Sequence, residues 1–119
     1  TARDMQAAAR RAGLPWALAK GIDTFAPMGA PVPLGRIRDV HALGLELKVN
    51  GERRQKGSTA QMIFPPEALI SYISRFMTLE PGDIIATGTP SGVGPLVPGD
   101  VVEAMVDEAG AVRNPVEGR

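Results

Sequence analysis

The chain has 119 residues, enough for one domain or part of one, and its 13 basic and 13 acidic side chains give a net charge of zero. A balanced charge gives no electrostatic footprint for nucleic acid or an anionic membrane surface, so binding of a small molecule is favoured. The sequence has no cysteine, which excludes thiolate metal ligands. It also has no signal-peptide pattern and no apolar run long enough to span a bilayer, so a cytoplasmic protein is predicted.

The first two elements predicted along the chain are a helix and a loop. Residues from Ala2 to Ala12 are strong helix formers, and Gly13 and Pro15 supply a stop. From Gly21 to Gly35, glycines and prolines interrupt the apolar residues too often for a helix or a long strand. We expect a long ordered loop there, a kind of segment that often carries function.

A β-hairpin and a second helix are predicted in the middle of the chain. Apolar and polar residues alternate from Leu45 to Val49, and Asn50-Gly51 can take the positive φ angles of a type I′ turn before the strand Arg53 to Lys56. The segment from Glu67 to Met77 follows two prolines and has apolar residues at helical spacing. It is predicted to form an amphipathic helix.

The last third of the chain predicts short strands separated by turns. The phrase Pro-Gly-Asp occurs twice, and each copy is followed by a β-branched run, which begins at Ile84 and at Val101. A further short strand is expected from Ala111 to Asn114. The fold class indicated is therefore mainly β, of the α+β type, with two short helices.

No standard catalytic motif is present: the sequence has no nucleophile elbow, phosphate loop, dinucleotide fingerprint or zinc-type histidine pair. The one histidine, His41, is typical of a surface turn. Lys20 ends an apolar run and could act as an electrophile or anion clamp, although a solvated lysine is the simpler interpretation. Arg3 and Gln6 share a helix face at i and i+3, which is also typical of a solvated surface.

A glycine-rich loop from Gly88 to Gly94 follows the strand expected at Ile84 to Thr87. Its backbone N–H groups and the hydroxyls of Thr89 and Ser91 could bind an anionic ligand. A tight β-turn without any ligand explains the same residues equally well. The residues alone leave these two interpretations open.

Six short phrases occur in an order that resembles the fumarylacetoacetate hydrolase family. They are Thr1 to Gln6, Leu18 to Lys20, Asp23 to Pro27, Lys48 to Glu52, Met62 to Phe64 and Pro81 to Pro90. The resemblance implies a mixed β-roll or sandwich domain, usually paired in a homodimer. It also implies that residues 1–119 are the C-terminal portion of one catalytic domain.

The resemblance further implies a site for Mg²⁺ or Mn²⁺ made by two glutamates of a Glu-x-Glu motif and one aspartate. None of these three ligands is found in the sequence, and the aspartate is expected just upstream of Thr1, so Asp4 should not be taken for it. The general base of the hydrolytic members, a His–Glu pair on an N-terminal lid, is also expected outside the chain. The isolated chain is accordingly predicted to bind metal weakly or not at all.

Four residues of the chain match positions that contact the ligand in the family, and a fifth matches a position near the metal. Lys20 is implied as the catalytic residue that stabilises negative charge on a substrate oxygen. Gln6 and Thr89 are implied to hold the carboxylate or keto oxygens of the substrate, with Arg3 beside them. Thr24 is implied to lie near the metal shell.

The reaction that the resemblance favours is metal-dependent hydrolysis of acylpyruvates or other 2,4-dioxo acids, in which a C–C bond is cleaved and pyruvate is released. The short connection from Gly92 to Gly99 supports this subgroup. Decarboxylation of oxaloacetate and isomerisation of 2-hydroxyhepta-2,4-diene-1,7-dioate are alternatives within the family. A non-catalytic structural role for the piece is a further alternative.

Overall fold

A four-stranded antiparallel sheet is the centre of the fold in the computed structural model, which describes residues 1–118. The strands are β1 (Gly44–Val49), β2 (Glu52–Ser58), β3 (Val101–Val106) and β4 (Gly110–Pro115). They lie in the order β2-β1-β3-β4, and each neighbouring pair is antiparallel. The predicted hairpin and the strands expected at Val101 and Ala111 are therefore present.

The described residues also form three α-helices: α1 (Arg3–Arg11), α2 (Ala17–Lys20) and α3 (Pro66–Ile73). The predicted first helix is confirmed, while the single turn of α2 was not expected from its short apolar run. The third helix ends four residues before Met77 because the following residues close into tight turns. The backbone N–H groups of Phe76 and Met77 both donate to the carbonyl of Ile73, each at 3.0 Å.

The hairpin between β1 and β2 contains a β-bulge. Asn50 and Gly51 have φ angles of 53° and 80°, as the type I′ turn requires. Val49 pairs with Glu52 beside the turn, but Leu47 pairs with Gln55 and leaves Arg54 as an extra residue in β2. The bulge puts Gln55 on the same face of the sheet as Leu47.

The prediction of a strand from Ile84 to Thr87 is wrong. The turn before it forms, since the Glu80 N–H donates to the Asp83 carboxylate at 2.8 Å, but the following residues pair with no strand of residues 1–118. A β-branched run becomes a strand only when a neighbouring strand completes its hydrogen bonds. Ile84 is instead 67% exposed.

The two faces of the sheet differ in polarity. One carries Glu46, Lys48, Glu103 and Arg113, which are joined by surface ion pairs. The other carries the apolar residues of β1 and β3 except Met105, which pairs with Glu46 on the polar face. The loop after α2 lies against this apolar face. A Cβ added at Gly29 would be only 2.9 Å from the Val112 side chain, so this loop passes close to β4.

Few side chains of the described residues are shielded from solvent. Among them, Ala19 and Val49 are the only buried apolar residues, while Leu18 and Ile63 are 79% and 90% exposed. The Cα radius of gyration is 15.7 Å, compared with about 13.5 Å for a compact chain of this length. No helix in the described range is long and apolar enough to cross a membrane.

Candidate functional site

The contact between α1 and α2 determines where the Lys20 side chain lies. The Ala2 N–H donates to the Ala19 carbonyl at 3.0 Å, and Ala19 is only 1% exposed, so its small side chain allows the two helices to approach closely. The Lys20 ammonium donates to the Thr1 hydroxyl at 3.0 Å. Lys20 is therefore tied to the start of α1 while its ammonium group stays accessible to a ligand.

Gln6, on the same helix, has a buried amide oxygen without a partner. The residue is half-buried, and its Oε1 accepts no hydrogen bond from any described residue. A buried polar atom left in this state costs about 1–3 kcal/mol, so a ligand or another part of the protein that donates to it would be favoured. Arg3 lies almost one turn earlier and is exposed.

The glycine-rich loop is attached to β2 through Gln55. The Gln55 amide nitrogen lies 2.8 Å from Thr89 Oγ1, 2.9 Å from the Pro90 carbonyl oxygen and 3.4 Å from the Ser91 carbonyl oxygen. Gln55 is 8% exposed, whereas Thr89 is exposed. The buried amide therefore supports a loop whose threonine is exposed to solvent.

Two glycines permit the close approach of this loop to the strand. A Cβ at Gly92 would lie 2.1 Å from the carbonyl oxygen of Arg54, the extra residue of the bulge. A Cβ at Gly57 would lie 3.1 Å from the Pro90 side chain. The bulge and the glycine-rich loop thus fit against each other at the backbone level, which fixes the position of Thr89.

Thr24 has a backbone conformation that is unusual for its residue type. It occupies a turn closed by the Phe25 N–H, which donates to the Ile22 carbonyl at 3.1 Å, and its φ angle is 68°. A β-branched residue pays a steric cost at positive φ, and such strain concentrates at functional sites. The turn lies within the long loop expected to carry function, four residues after Lys20.

The described residues do not fit a divalent metal ion by themselves. They contain no cluster of three His, Asp or Glu side chains, and a hard cation takes six or more oxygen ligands. His41 belongs to a surface turn as predicted, but it has a carboxylate neighbour that the sequence did not indicate. Its Nε2 lies 3.7 Å from the Glu67 carboxylate, and both side chains are largely exposed.

The predicted site residues fall into two groups. Arg3, Gln6 and Lys20 lie on the α1–α2 pair, and Thr24 follows in the next turn. Thr89 lies on the glycine-rich loop beside β2, and no side-chain hydrogen bond within residues 1–118 joins it to the helical group. Sequence reasoning missed Gln55, whose burial depends on the bulge.

The family model described as "Fumarylacetoacetate (FAA) hydrolase C-terminal" matches residues 1–117. The chain belongs to the fumarylacetoacetate hydrolase family. The family resemblance carried by the six phrases is thereby confirmed, as is a fold of this family's type, since solved members superpose on nearly the whole chain.

Curated relatives of this family member include a named enzyme. The chain is 51% identical over 113 residues to the mitochondrial oxaloacetate tautomerase FAHD1 of Mus musculus, covering 95% of this chain and 51% of that protein. The same enzyme of Arabidopsis thaliana is 51% identical over 119 residues, covering all of this chain and 53% of the relative. The chain thus spans about half the length of the curated relatives it matches.

Two solved structures of named enzymes are similar to this family member. The fumarylpyruvate hydrolase of Pseudomonas aeruginosa, in complex with Mn²⁺ and pyruvate, is 35% identical with a TM-score of 0.94, covering 98% of this chain and 50% of that one. The 5-carboxymethyl-2-hydroxymuconate delta-isomerase of Mycobacterium smegmatis is 39% identical with a TM-score of 0.89, covering 100% and 45%. The similar enzymes thus include hydrolases, isomerases and tautomerases.

Proposed function

We propose that the full-length protein is a metal-dependent enzyme that stabilises the enolate of a 2-oxo acid, and that residues 1–119 are the C-terminal portion of its catalytic domain. The observation that carries the proposal is the α1–α2 contact, which holds the Lys20 ammonium at the start of the helix that bears Gln6. A fixed and accessible cation suits a small anionic substrate.

Lys20 has the central role in this proposal. As a substrate carbonyl gains negative charge, an ammonium group held nearby stabilises the oxygen, an effect worth about 3–4 kcal/mol for one well-placed donor. The Thr1 hydroxyl fixes the direction of the lysine without neutralising it, because the hydroxyl accepts a hydrogen bond and carries no charge. Gln6, Thr89 and Arg3 would hold the carboxylate and keto oxygens of the substrate.

The proposed cofactor is Mg²⁺ or Mn²⁺, which would polarise the substrate oxygens when bound. The complex of the P. aeruginosa relative with Mn²⁺ and pyruvate supports a divalent ion. The described residues of this chain offer no complete ligand set, so carboxylates from elsewhere in the full-length protein would have to hold the ion. The strained turn at Thr24 would lie beside those ligands.

Keto–enol tautomerisation of oxaloacetate is the reaction that sequence similarity favours. The chain is 51% identical to the mouse tautomerase but 35% identical to the fumarylpyruvate hydrolase. Hydrolysis of acylpyruvates, the reaction expected from the motifs, is the second candidate, because the hydrolase superposes with a TM-score of 0.94. Both reactions pass through an enolate, so the same lysine could serve either.

The test is an assay of the full-length protein on oxaloacetate, followed as loss of the enol absorbance, and on a panel of acylpyruvates, followed as pyruvate release. Each assay is run with Mg²⁺, with Mn²⁺ and with a chelator. Activity that disappears with the chelator supports the proposal. A protein inactive on every 2-oxo acid would instead support a non-catalytic role.

Lys20→Ala in the full-length protein tests the catalytic assignment. We expect kcat to fall about 100-fold or more, since one charge-stabilising donor is lost. Lys48→Ala is the matched control, because Lys48 lies on the polar face of the sheet and pairs with Glu46 at 3.1 Å. Wild-type turnover in Lys20→Ala would refute the role.

The remaining expectations also apply to the whole protein. A homodimer is proposed, and light scattering on the full-length protein measures it. A cytoplasmic location stays a prediction, and the curated tautomerases named above are described as mitochondrial. Fractionation of the cells that make the protein distinguishes the two compartments.

A further inference from the structure

We propose that Gln55 is a positioning residue that makes the Thr89 hydroxyl a hydrogen-bond donor toward the substrate. Gln55 has no role in the family resemblance described above, and it is the one buried polar residue among those described. The inference rests on the proposed function in one respect, which is that Thr89 contacts a 2-oxo acid.

The direction of the hydrogen bonds follows from the partners of the Gln55 amide. The carbonyl oxygens of Pro90 and Ser91 can only accept, so the NH₂ group of the amide must face them. Of its two hydrogens, one goes to the Pro90 carbonyl at 2.9 Å. The other goes to Thr89 Oγ1 at 2.8 Å, which leaves the Ser91 carbonyl at 3.4 Å as a weak contact.

This arrangement leaves the Thr89 proton available for a ligand. A threonine hydroxyl has one hydrogen to donate, and here its oxygen already accepts from Gln55. No described side chain or backbone carbonyl accepts the Thr89 hydroxyl hydrogen. The carboxylate and keto oxygens of a 2-oxo acid are acceptors only, so they match the free proton and would repel an outward-facing lone pair.

The surroundings of Gln55 keep its amide from turning away. The bulge at Arg54 places Gln55 opposite Leu47 on the apolar face, where it is 8% exposed. The loop cannot move closer to β2, since the Gly92 backbone already lies so near the Arg54 carbonyl that a Cβ would not fit between them. A buried amide with both hydrogens satisfied gains nothing by flipping, because its oxygen would then face the Pro90 carbonyl.

The experiment measures pyruvate binding to the Mn²⁺-loaded full-length protein by calorimetry, together with KM and kcat. Gln55→Glu replaces the donor by an acceptor, so the Thr89 hydroxyl turns toward the new carboxylate. We expect the Kd for pyruvate and KM to rise about 10- to 100-fold, as for the loss of a hydrogen bond to a charged group, with kcat changing less. Thr89→Val should weaken binding to a similar degree.

A matched control and a double variant separate positioning from charge and from general damage. Gln61→Glu adds the same charge at a residue whose Oε1 accepts from the Ser58 N–H at 2.9 Å, and a carboxylate keeps that acceptor role. It should bind pyruvate as the wild type does. Gln55→Glu combined with Thr89→Val should bind no more weakly than Thr89→Val alone.

Three results would overturn the proposal. They are wild-type affinity in Gln55→Glu, equal weakening in Gln61→Glu, and a double variant whose loss is the product of the two single losses. If Gln55→Glu does not fold, Gln55→Met removes the donor without adding charge and is judged by the same three comparisons.

A separate measurement keeps this inference distinct from the proposed function. If the wild type neither binds pyruvate nor turns over any 2-oxo acid, the proposed function fails. NMR of the ¹⁵N-glutamine-labelled protein then decides the role of Gln55 without a ligand. Slow solvent exchange of both Gln55 side-chain hydrogens, with one of them released by Thr89→Val, supports the hydrogen-bond direction, and fast exchange of both in the wild type refutes it.

Discussion

Replacing Gly92 by alanine tests the close fit between the glycine-rich loop and the bulge. Gly92 has a φ angle of 98°, and an added Cβ would lie 2.1 Å from the Arg54 carbonyl oxygen and 3.2 Å from the Gln55 side chain. Both groups are held in place, one as strand backbone and the other by its hydrogen bonds to the loop. The loop would therefore have to move away from β2.

The magnitude follows from two separate costs. Alanine at this positive φ costs about 1–2 kcal/mol relative to glycine. Opening the contact to an ordinary distance requires a shift of about 1 Å, and overpacking of this kind costs about 1–3 kcal/mol. The free energy of unfolding should thus fall by about 2–5 kcal/mol, and KM should rise because Thr89 moves with the loop.

Gly88→Ala is a control in the same loop. Gly88 also has a φ angle of 98°, but an added Cβ would meet nothing within 4 Å. It should therefore show only the conformational cost of about 1–2 kcal/mol. Both variants are measured by denaturant unfolding of the full-length protein. Equal losses of stability in the two variants would refute the steric reasoning and, with it, the proposed anchoring of the loop.

Two further predictions concern the turns at the ends of the strands. Asn50→Ala should lower the free energy of unfolding by about 1–3 kcal/mol in a denaturant titration. Asn50 has a φ angle of 53°, and its amide oxygen accepts a hydrogen bond from the Val101 N–H at the start of β3, at 2.9 Å. Asn50→Gly should recover part of the loss, because glycine tolerates the positive φ angle. Stability should fall in acid, because hydrogen bonds from the backbone N–H groups of Val97 and Arg38 lower the pKa values of Asp100 and Glu108. The two carboxylates contribute fully to stability above their ordinary pKa values of 3.8 and 4.5, and this contribution is lost as the pH falls through their lower pKa values in the folded protein. Thermal melts between pH 7 and pH 2 measure the loss. A melting temperature that stays unchanged down to pH 2 would contradict it.

Local chemistry explains which elements could be predicted from the sequence. The Asn50-Gly51 turn and the first helix depend on residues adjacent in the chain, and both were predicted correctly. The run from Ile84 to Thr87 has the composition of a strand but depends on a partner strand that composition does not reveal. The partner of a strand is long-range information, which the composition of a short run does not contain. The single turn of α2, which contacts α1, was not expected for the same reason.

Gln55 shows why one site residue could not be found from the sequence. A two-residue turn with regular pairing would place Arg54 opposite Leu47 and turn Gln55 to the polar face. The bulge shifts the pairing by one residue, so that Gln55 pairs with Leu47 and lies on the apolar face. Lys20, Gln6 and Thr89 were identified by motif resemblance, which does not need the register, and their roles stay predictions.

The scarcity of buried apolar side chains has a calorimetric consequence. The heat capacity of a domain normally rises by about 12–15 cal/mol/K per residue on unfolding, because apolar groups move from the interior into water. In residues 1–118, Ala19 and Val49 are the only buried apolar residues, so much of that transfer has already taken place in the folded chain. Calorimetry of the 119-residue chain on its own should therefore give a heat-capacity increment per residue well below this range, and the full-length protein should restore it.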